Sequence, residues 1–488
     1  MATPPLRAGI VGAGSAGLAA AAFLARAGWE VTVFEKVASL LPVGAGLLLQ
    51  PTGASVLGEL GVRAVAETGG AHILDLDGRN GYDMPVVNVK YAALDAASHG
   101  IGIHRATLSS ALHAAVTEAR SVSPLGYGSV SFALGHEIES VSFGSSATPA
   151  VIRGPRGTPL GEFDMAIISS GASAETIAPP GIVDFTRRYP WGAMWALLED
   201  PGETFGTSLV QAYRKTHTML GFMPTGRTIH YLAGGAGSVD PVDQTSEESN
   251  TPTTGLAGGG SSSDSLEPTG SPLVSLFYSL RAADRMAFED DVSLDEFKAR
   301  VLKLQPRAEA VLESLTSKDQ LTWARYSDVK LSSFHVGRTV FMGDAAHATS
   351  PQLGQGANFA LIDASGLNYV LKTALHALDG DERKLRSRLP AILGEYTALR
   401  RPHIHFYQAM SRMMTPLFQS RLSPLAPVRD LTMGLGGQIW PFSAFATRLL
   451  TGYQRTLFTT MPFSATNPYL WSDHPHRSRI ADVARKVE

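Results

Sequence analysis

The clearest chemical pattern in the chain is the segment Gly343–Ala364, which reads GDAAHATSPQLGQGANFALIDA. An acidic residue, Asp344, follows the apolar, strand-like run Thr339–Met342. Further on, Gly354 and Gly356 open a stretch with helical patterning. The first turn of a helix has unpaired backbone N–H groups and the positive end of the helix dipole. The segment therefore predicts a binding place for a negatively polarised ligand at this helix start.

A second glycine-rich turn, GAGSAG at Gly12–Gly17, follows the strand-like run Leu6–Val11. An Ala- and Leu-rich helix and a second strand, Glu30–Phe34, come next. In such a unit the glycines allow a tight turn, close approach of a pyrophosphate and packing of the helix on the sheet. Glu35 stands roughly 20 residues on, where an acid accepts hydrogen bonds from the adenosine ribose. The predicted dinucleotide contacts are Gly12, Gly14, Ser15, Ala16, Gly17, Glu35 and Lys36.

Two glycine-rich helix starts in one chain predict a long ligand with a phosphate part and a second polar part, and FAD fits both. Alternating strands and helices around the first turn predict an α/β fold with a Rossmann-like FAD-binding domain built on a βαβ unit. The strand-rich middle of the chain predicts an antiparallel-sheet substrate domain interleaved with it. Residues 401–488 read as a C-terminal helical region.

The second motif is similar to that of a known family, the class A FAD-dependent monooxygenases, which are single-component hydroxylases of the para-hydroxybenzoate hydroxylase type. The matching residues are Gly343, Asp344, Ala345, Ala346, His347, Pro351, Gly354, Gly356, Asn358 and Asp363. The resemblance covers roughly residues 6–400. It implies that Asp344 holds the ribityl or pyrophosphate region and that Pro351 lies beside the flavin ring. It further implies that the helix start faces the pyrimidine end of the flavin, through Gly354, Gly356, Ala357 and Asn358.

The resemblance implies an oxidoreductase with FAD as cofactor and NAD(P)H and O₂ as co-substrates. In the family a nicotinamide reduces the flavin, O₂ adds at the flavin C4a carbon, and the hydroperoxide transfers one oxygen atom to an aromatic or otherwise activated small organic substrate. The chemistry belongs to the cofactor, while the protein supplies position, electrostatics and exclusion of water. The identity of the substrate and the choice between NADH and NADPH stay open at this point.

Two further segments are candidates for contact with the cofactor. Residues 42–51 read PVGAGLLLQP and resemble a family segment beside the flavin ring, which nominates Gly46; an ordinary glycine-rich turn is the alternative. The run HRATLSSAL contains Arg105 where the family has an arginine that contacts the phosphate or ribityl region. A guanidinium suits phosphate because its donors form a fixed fork. The alternative for Arg105 is a solvated side chain ahead of a helix.

The segment SSGASAETI at 169–177 departs from the family pattern. Relatives carry Asp-Gly, then a Ser and an Arg at fixed spacing, whereas here only Gly171 matches. Ser170 stands at the acidic position and Ile177 at the basic one. Because those positions are tied in relatives to cofactor and pyridine-nucleotide contacts, the departure bears on how the protein uses NAD(P)H.

The strand-like segment 189–232 is rich in aromatic residues. Strand alternation puts Trp191 and Trp195 on one face of a strand, and Tyr213 with Gln211 on one face of the next. Trp191, Trp195 and Tyr213 are therefore candidate substrate contacts in a pocket with an aromatic lining. Packing in the core of the smaller domain is the alternative for each. As catalytic residues we nominate Pro351, Tyr213 and His217.

The predicted domain boundaries alternate along the chain. The FAD-binding domain takes residues 1–72, 100–182 and 325–400, and the substrate domain takes 73–99 and 183–324. Ser, Thr, Gly, Pro and acidic residues fill 237–272, which predicts a disordered insertion because nothing there can bury a core. Alternating residues between 129 and 153, beginning at Val130–Phe132, predict antiparallel strands.

Composition excludes several classes of function. A net charge of −3 gives no reason to expect nucleic acid. The absence of cysteine rules out disulfides, thiolate metal sites and cysteine nucleophiles. No carboxylate–histidine spacing recurs, so we expect no catalytic metal. No apolar run is long enough for a transmembrane helix, and the expected location is the cytoplasm. The oligomeric state is left open.

Three other functions fit the same motifs. A flavin-dependent halogenase on this fold should carry Trp-x-Trp-x-Ile-Pro, whereas this chain has Trp191-Gly-Ala-Met-Trp195. A FAD-linked dehydrogenase or reductase differs by whether oxygen enters the product. A flavin-binding protein without turnover is supported only by the altered segment at Ser170–Ile177.

Overall fold

The computed structural model describes residues 4–40, 45–122, 128–228, 269–461, 470–471 and 474–486. Most of the predicted insertion 237–272 lies outside these residues. Its last four residues, Thr269–Pro272, belong instead to a strand that continues to Arg281, so the prediction of disorder is wrong there. Pairing of Thr269 with Thr228 and a hydrogen bond from Asp200 N to Pro272 O order these polar residues.

The strands in chain order are β1 Arg7–Val11, β2 Glu30–Glu35, β3 Gly46–Leu49, β4 Ala71–Ile73, β5 Asp75–Asn80, β6 Pro85–Lys90, β7 Gly100–His104, β8 Ser129–Leu134, β9 Ser140–Ser142, β10 Ala150–Arg153, β11 Pro159–Phe163, β12 Met165–Ile168, β13 Val183–Glu199, β14 Ser208–Arg214, β15 Thr218–Thr228, β16 Thr269–Arg281, β17 Thr322–Leu331, β18 His335–Val336 and β19 Thr339–Phe341.

The α-helices are α1 Ser15–Arg26, α2 Pro51–Glu59, α3 Arg63–Gly69, α4 Arg105–Val122, α5 Arg285–Asp291, α6 Leu294–Leu304, α7 Glu309–Glu313, α8 Asp344–His347, α9 Gly356–Ala377, α10 Glu382–Phe418, α11 Leu425–Arg429, α12 Phe442–Leu450 and α13 Arg477–Arg485. A π-helical segment, Asp430–Leu435, joins α11 to the region before α12. No helix in the described ranges has the length and apolar content that crossing a bilayer requires. The cytoplasmic location stays a prediction.

A six-stranded sheet forms the centre of the larger core, in the order β18-β19-β12-β1-β2-β8. All neighbours are parallel except β18, which runs antiparallel to β19. Helices α1, α4 and α9 bury apolar faces in the same core, as a parallel sheet requires. This arrangement confirms the predicted α/β fold with a Rossmann-like βαβ unit.

Strand β8, predicted as antiparallel, pairs parallel with β2, with Glu30 opposite Ser129. The prediction was wrong at this strand, because alternation of apolar residues does not reveal the direction of the partner strand. Strands β9, β10 and β11 do form a separate antiparallel sheet. Another small antiparallel sheet, β3-β7-β4, carries the segment with Gly46.

A seven-stranded sheet, in the order β17-β13-β16-β15-β14-β5-β6, forms the second layer. Its neighbours are antiparallel except β14 and β5. One face packs against α5, α6 and α7 in a core of its own. The other face carries Leu209, Tyr213 and Phe277 and meets Phe418 at the end of α10. Strand alternation thus separates a packing face from a face turned towards the centre of the protein.

Glu59, the last residue of α2, is a buried carboxyl that links three elements. Its Oε2 accepts a hydrogen bond from Ser365 Oγ at 2.9 Å, and Ser365 in turn accepts one from Trp471 Nε1 at 2.9 Å. Burial raises the pKa of Glu59 from 4.5 to about 7, although the hydrogen bonds oppose the shift. The neutral acid is therefore the form that the fold favours.

We expect Glu59→Gln to stabilise the protein at pH 8 but hardly at pH 5. The folded-state pKa is raised, so the contribution of the carboxyl is fully present below the unfolded value of 4.5 and is lost as the pH rises through about 7. The gain in the free energy of unfolding at pH 8 should reach about 3 kcal/mol. Urea unfolding at both pH values measures it. The exposed Glu313→Gln serves as the matched control, and a similar gain at both pH values would contradict the account.

Candidate functional site

A single long cavity of about 1080 Å³ runs between the six-stranded and seven-stranded sheets. At one end it meets the carboxyl ends of β1, β2, β12 and β19, where α/β sheets bind their ligands. At the other end it reaches the inner face of the seven-stranded sheet. The volume exceeds the range of roughly 300–1,000 Å³ that is usual for a single small ligand. The cavity therefore has room for an extended cofactor and a second molecule.

The first glycine-rich turn forms the wall at the carboxyl end of β1. Gly12 has a φ of +100°, and a Cβ on Gly17 would lie 2.0 Å from Gly12 O. These two positions require glycine, for the turn and for the close packing of α1. Gly17 packs behind the turn, whereas the residues that line the cavity are Gly12, Gly14, Ser15, Ala16, Glu35 and Lys36.

The start of α1 is open towards a ligand. Its N-cap, Gly14, provides no side-chain hydrogen bond to the first turn, and Gly14, Ser15 and Ala16 line the cavity. The N–H groups of this turn and the helix dipole are therefore available to a bound anion. The Glu35 carboxylate accepts hydrogen bonds from Ala13 N at 2.9 Å and Val37 N at 3.2 Å. This holds the acid beside the turn. The donors suit a pyrophosphate and the acid suits a ribose, so the predicted dinucleotide contacts fit FAD.

The second motif meets the first across the cavity. Asp344 begins α8 directly after β19, and a Cβ on Gly356 would lie 3.9 Å from its Oδ1. Pro351 begins a short 3-10 turn that leads to the start of α9, whose N-cap, Gln355, makes no side-chain hydrogen bond to the helix. The lining residues here include Asp344, Pro351, Gly354, Gly356 and Ala357. The structure thus brings the predicted second-motif residues to one wall.

Asn358, like Gly17, is a predicted cofactor contact that does not line the cavity, and it is fully buried. Its Oδ1 accepts a hydrogen bond from Gln50 N at 2.8 Å, and its Nδ2 donates to Leu48 O at 3.1 Å and Gly354 O at 3.2 Å. Asn358 therefore connects β3, which carries Gly46, to the start of α9. It acts as a positioning residue for two walls of the cavity.

Arg105, the first residue of α4, lines the cavity between the cofactor end and the seven-stranded sheet. Burial raises the pKa of Tyr326 to about 12, while the hydrogen bond from Trp195 and the charge of Arg105 act in the opposite direction. Trp195 Nε1 lies 3.1 Å from Tyr326 Oη. Arg105 is exposed and lines the cavity, and its contact with the cofactor stays a prediction.

The candidate substrate residues divide into two groups. Trp195 and Tyr213 line the cavity, and Tyr213 Oη donates a hydrogen bond of 2.5 Å to Gln211. Burial raises the pKa of Tyr213, although the nearby Arg429 opposes the shift. Trp191 is buried at the far end of the same strand face and does not line the cavity.

His217 also lies outside the cavity lining. It sits in the turn between β14 and β15, with Nδ1 3.0 Å from Thr218 Oγ1. Partial burial and the charges of Lys215 and Arg214 lower its pKa. Residues of a hairpin turn point past the end of the sheet, so the turn carries His217 away from the inner face. We assign it no role at the reacting centre.

Comparison with known proteins places the chain. A family described as an FAD binding domain matches residues 6–87 and 258–403. The chain is 26% identical to a 3-amino-4-hydroxybenzoate 2-monooxygenase of Streptomyces cremeus over 370 residues, 74% of this chain and 77% of that protein. It is 33% identical to the ubiquinone hydroxylase UbiL of Rhodospirillum rubrum over 115 residues, 24% of this chain and 25% of that protein. The chain therefore contains an FAD binding domain and is similar to the class A FAD-dependent monooxygenases.

The fold of this monooxygenase is also that of a 2-methyl-3-hydroxypyridine-5-carboxylic acid oxygenase of known structure. The two share 19% identity at a TM-score of 0.63, with 91% of this chain and 97% of the other covered. The family confirms FAD as the cofactor, and the structure supplies the walls that fit it. The comparisons support a monooxygenase and do not support the halogenase, dehydrogenase or non-catalytic alternatives.

A buried charge network lies beneath the second motif of the monooxygenase. Asp363 accepts hydrogen bonds from His347 Nε2 at 2.6 Å, Gly343 N at 2.9 Å and Arg400 Nε at 2.8 Å. Burial alone would raise the pKa of Asp363, but His347 and Arg400 outweigh it and hold the pKa at about 2. Arg400 also contacts His403 Nδ1 at 3.0 Å. The carboxylate thus fixes the backbone of the turn at Gly343.

The second motif includes Asp363 and His347 but does not extend to Arg400. The guanidinium comes from α10, and its position 37 residues after Asp363 has no meaning until the helices pack. His403, paired with Arg400, has a pKa well below its usual value because of burial and the nearby Arg400 and Arg455 charges.

The altered segment 169–177 does reach the cofactor end of the cavity. Ser169 Oγ lies 3.0 Å from both Val11 O and Gly12 O, which ties the segment to the first glycine-rich turn. Ser170, Gly171 and Ile177 line the cavity. The departure from the family pattern therefore lies at the site itself.

Within the described part of the chain one group of side chains has the composition of a metal site, namely Glu67, His72 and His99. Glu67 Oε2 lies 2.7 Å from His72 Nε2 and 3.0 Å from His99 Nε2, and Arg63 donates to Glu67 Oε1 at 2.9 Å. The Arg63 guanidinium already pairs with the Glu67 carboxylate, and its positive charge disfavours binding of a metal cation beside it. None of the four lines the cavity, and the expectation of no catalytic metal stays a prediction.

Proposed function

We propose that this protein is a monooxygenase that inserts one oxygen atom of O₂ into an aromatic or otherwise activated small organic substrate, with NAD(P)H as reductant. The observation that carries the proposal is the continuous cavity, which joins two FAD-binding walls to the inner face of the seven-stranded sheet. FAD supplies the redox chemistry and the reaction with O₂ when bound. The protein supplies the position of the reactants, the local charge and the exclusion of water.

The residues of the cavity have separable tasks in this proposal. The start of α9 has no side-chain cap and lines the cavity, so its backbone N–H groups and helix dipole would stabilise negative charge on the reduced cofactor. Arg105 and Asp344 hold the polar chain of the cofactor, and Pro351 forms the wall beside its ring. Trp195 and Tyr213 contact the substrate from the sheet. Tyr213 is the candidate for relaying a proton at its Oη.

Oxygen consumption with product analysis tests the proposal. The FAD-loaded protein is given NADH or NADPH with a panel of phenols, and ¹⁸O₂ is used so that one labelled atom appears in the product. Parallel reactions with catalase separate hydroxylation from release of hydrogen peroxide. Oxidation of a substrate without incorporation of ¹⁸O would instead indicate a dehydrogenase and would overturn the proposal.

We expect reduction of the cofactor by NAD(P)H to be slow in the absence of substrate. Ser170 and Ile177 line the cavity where relatives carry an acid and an arginine. Loss of one charge-assisted hydrogen bond weakens an encounter by about 1.5 to 3 kcal/mol, or about ten- to a hundredfold in affinity. Anaerobic stopped-flow at the flavin absorbance band, with and without ligand, measures the rate.

The variant Ile177→Arg is the matched control, because it restores an arginine at the position where the family pattern has one. It should increase the affinity for the nicotinamide, most clearly for NADPH with its extra phosphate. Fast reduction of the ligand-free protein at micromolar NADH or NADPH would contradict the prediction. Other lining residues would then make the contact.

A further inference from the structure

The charge of the lining residues differs between the two ends of the cavity. Its charged lining residues lie at the end of β2, on the segments after β2, β8 and β19 or at the start of α4; they are Glu35, Lys36, Glu137, Asp344 and Arg105. In contrast, every lining residue from β5, β6, β13 to β17 and the helices beyond residue 400 is uncharged. We call this second part the substrate end. Its polar groups are amides and hydroxyls, including Gln211, Tyr326 and Gln419.

We propose that the substrate is an uncharged, mainly apolar aromatic molecule that presents an oxygen atom to Gln419, and that carboxylates are excluded. The inference rests on the proposed function, since it names the substrate class of the same site. Arg105, the lining cation that lies towards this part, is assigned to the polar chain of the cofactor. A carboxylate moved from water into the substrate end would therefore meet no other cation among the described lining residues, and burial of an unpaired charge is strongly unfavourable. Methionine, valine and leucine side chains around it favour apolar ligands instead.

The nearest buried cation cannot serve as a carboxylate partner. Arg429 lies behind the wall, with its guanidinium 5.3 Å from the centre of the Tyr213 ring and 5.4 Å from that of Phe418. Its nitrogens are already engaged with Asp430 at 2.7 Å, Lys215 O at 2.7 Å and Leu417 O at 3.2 Å. The two aromatic rings, which do line the cavity, separate this charge from any ligand.

Gln419 marks where the substrate oxygen is held. The residue is 4% exposed and lines the cavity. Its Oε1 accepts a hydrogen bond from Gln352 Nε2 at 2.9 Å, whereas its buried Nε2 has no partner among the described residues. Gln352 directly follows Pro351, whose wall is assigned to the flavin ring. Gln419 Nε2 therefore lies where the substrate end meets that wall. A phenol or carbonyl oxygen bound there satisfies the amide and places the ring beside the reacting position.

The mouth of the cavity is also lined and flanked by apolar residues. Phe442 lines the cavity and is 65% exposed, so the cavity opens to the surface beside it. Leu435, Ile439 and Trp440, which precede it in the chain, are also exposed. From Leu431 to Phe442 the sequence contains no charged residue. A lipophilic molecule therefore meets an apolar surface before it enters an apolar cavity.

Binding to the oxidised, FAD-loaded protein tests the proposal without any turnover. Matched pairs of ligands are titrated while the visible flavin spectrum is followed: methyl 4-hydroxybenzoate against 4-hydroxybenzoate, and 2-naphthol against 6-hydroxy-2-naphthoate. We expect the neutral member of each pair to bind about 100-fold more tightly or better. Equal or tighter binding of either carboxylate, or failure of both neutral ligands to bind, would overturn the proposal.

Gln419→Leu tests the position of the oxygen. It should weaken 2-naphthol binding about tenfold and leave naphthalene, which has no oxygen, unaffected; unchanged 2-naphthol affinity would remove Gln419 from the proposal. FAD content measured on the same samples controls for folding. Because binding is read without NAD(P)H, selective binding with no ¹⁸O incorporation would sink the proposed activity alone, whereas incorporation of ¹⁸O into carboxylates would sink the substrate class alone.

Discussion

Asp344→Ala is expected to lose most of its FAD on gel filtration while keeping a near-native circular dichroism spectrum. Asp344 follows β19, lines the cavity and stands beside the start of α9. A carboxylate there accepts charge-assisted hydrogen bonds from the cofactor, each worth about 1.5 to 3 kcal/mol. Loss of one such bond lowers the affinity by about ten- to a hundredfold. The ratio of flavin to protein absorbance after gel filtration measures the result.

Two variants sharpen this experiment. Asp344→Asn keeps the shape and one acceptor oxygen, so an intermediate loss of flavin is expected if charge matters. Asp381→Ala removes another helix-start aspartate, which accepts hydrogen bonds from Arg383 N and Lys384 N at the start of α10. It does not line the cavity and should retain its flavin. Full flavin occupancy in Asp344→Ala would show that the second motif does not hold the cofactor.

Asp363→Ala is expected to lower the free energy of unfolding by about 3–5 kcal/mol, since it leaves a buried cation without its partner. The Arg400 side chain is 1% exposed and cannot turn to solvent. The variant also removes the acceptor for Gly343 N and His347. Urea unfolding of the FAD-loaded protein measures the loss. Flavin content should fall with it, because Gly343 precedes the cofactor contact Asp344.

Asp328→Ala is the matched control. The Asp328 side chain is equally buried at 0% exposure, and it pairs with Arg412 and Arg187. These partners are 26% and 63% exposed, so both can turn into water when the carboxylate is removed. The loss in the free energy of unfolding should therefore be clearly smaller than for Asp363→Ala. Equal losses would show that the solvent access of the partner cation does not set the cost.

The sequence by itself determined the cofactor and the elements that bind it. Glycines at Gly12 and Gly17, an acid at Glu35 and the run beginning at Gly343 are local patterns. A tight turn, a close helix or an open helix start depends on neighbouring residues, so such patterns carry their meaning without a tertiary structure. The α/β architecture followed from the same periodicities. The departure from the family pattern at Ser170 and Ile177 was also visible in the sequence, because that pattern has a fixed spacing.

Only the tertiary structure decided in which direction individual side chains point. Asn358 follows directly after the lining residues Gly356 and Ala357, yet it points to Gln50 and Leu48 rather than to the cavity. His217 belongs to a hairpin turn that leaves the inner face of the sheet. Motif membership states which residues occur together, but the direction of each side chain depends on what packs against its element.

Long-range pairings were likewise beyond the sequence. Strand β8 joins the parallel sheet because β2 offers an open edge, and Thr269–Pro272 becomes ordered because β15 lies beside it. Arg400 meets Asp363 only when α10 packs on α9. The uncharged substrate end is assembled from seven strands and the helices beyond residue 400. Local chemistry therefore determined what the cofactor is, whereas the packing of distant segments, which no local pattern encodes, decided what surrounds the substrate.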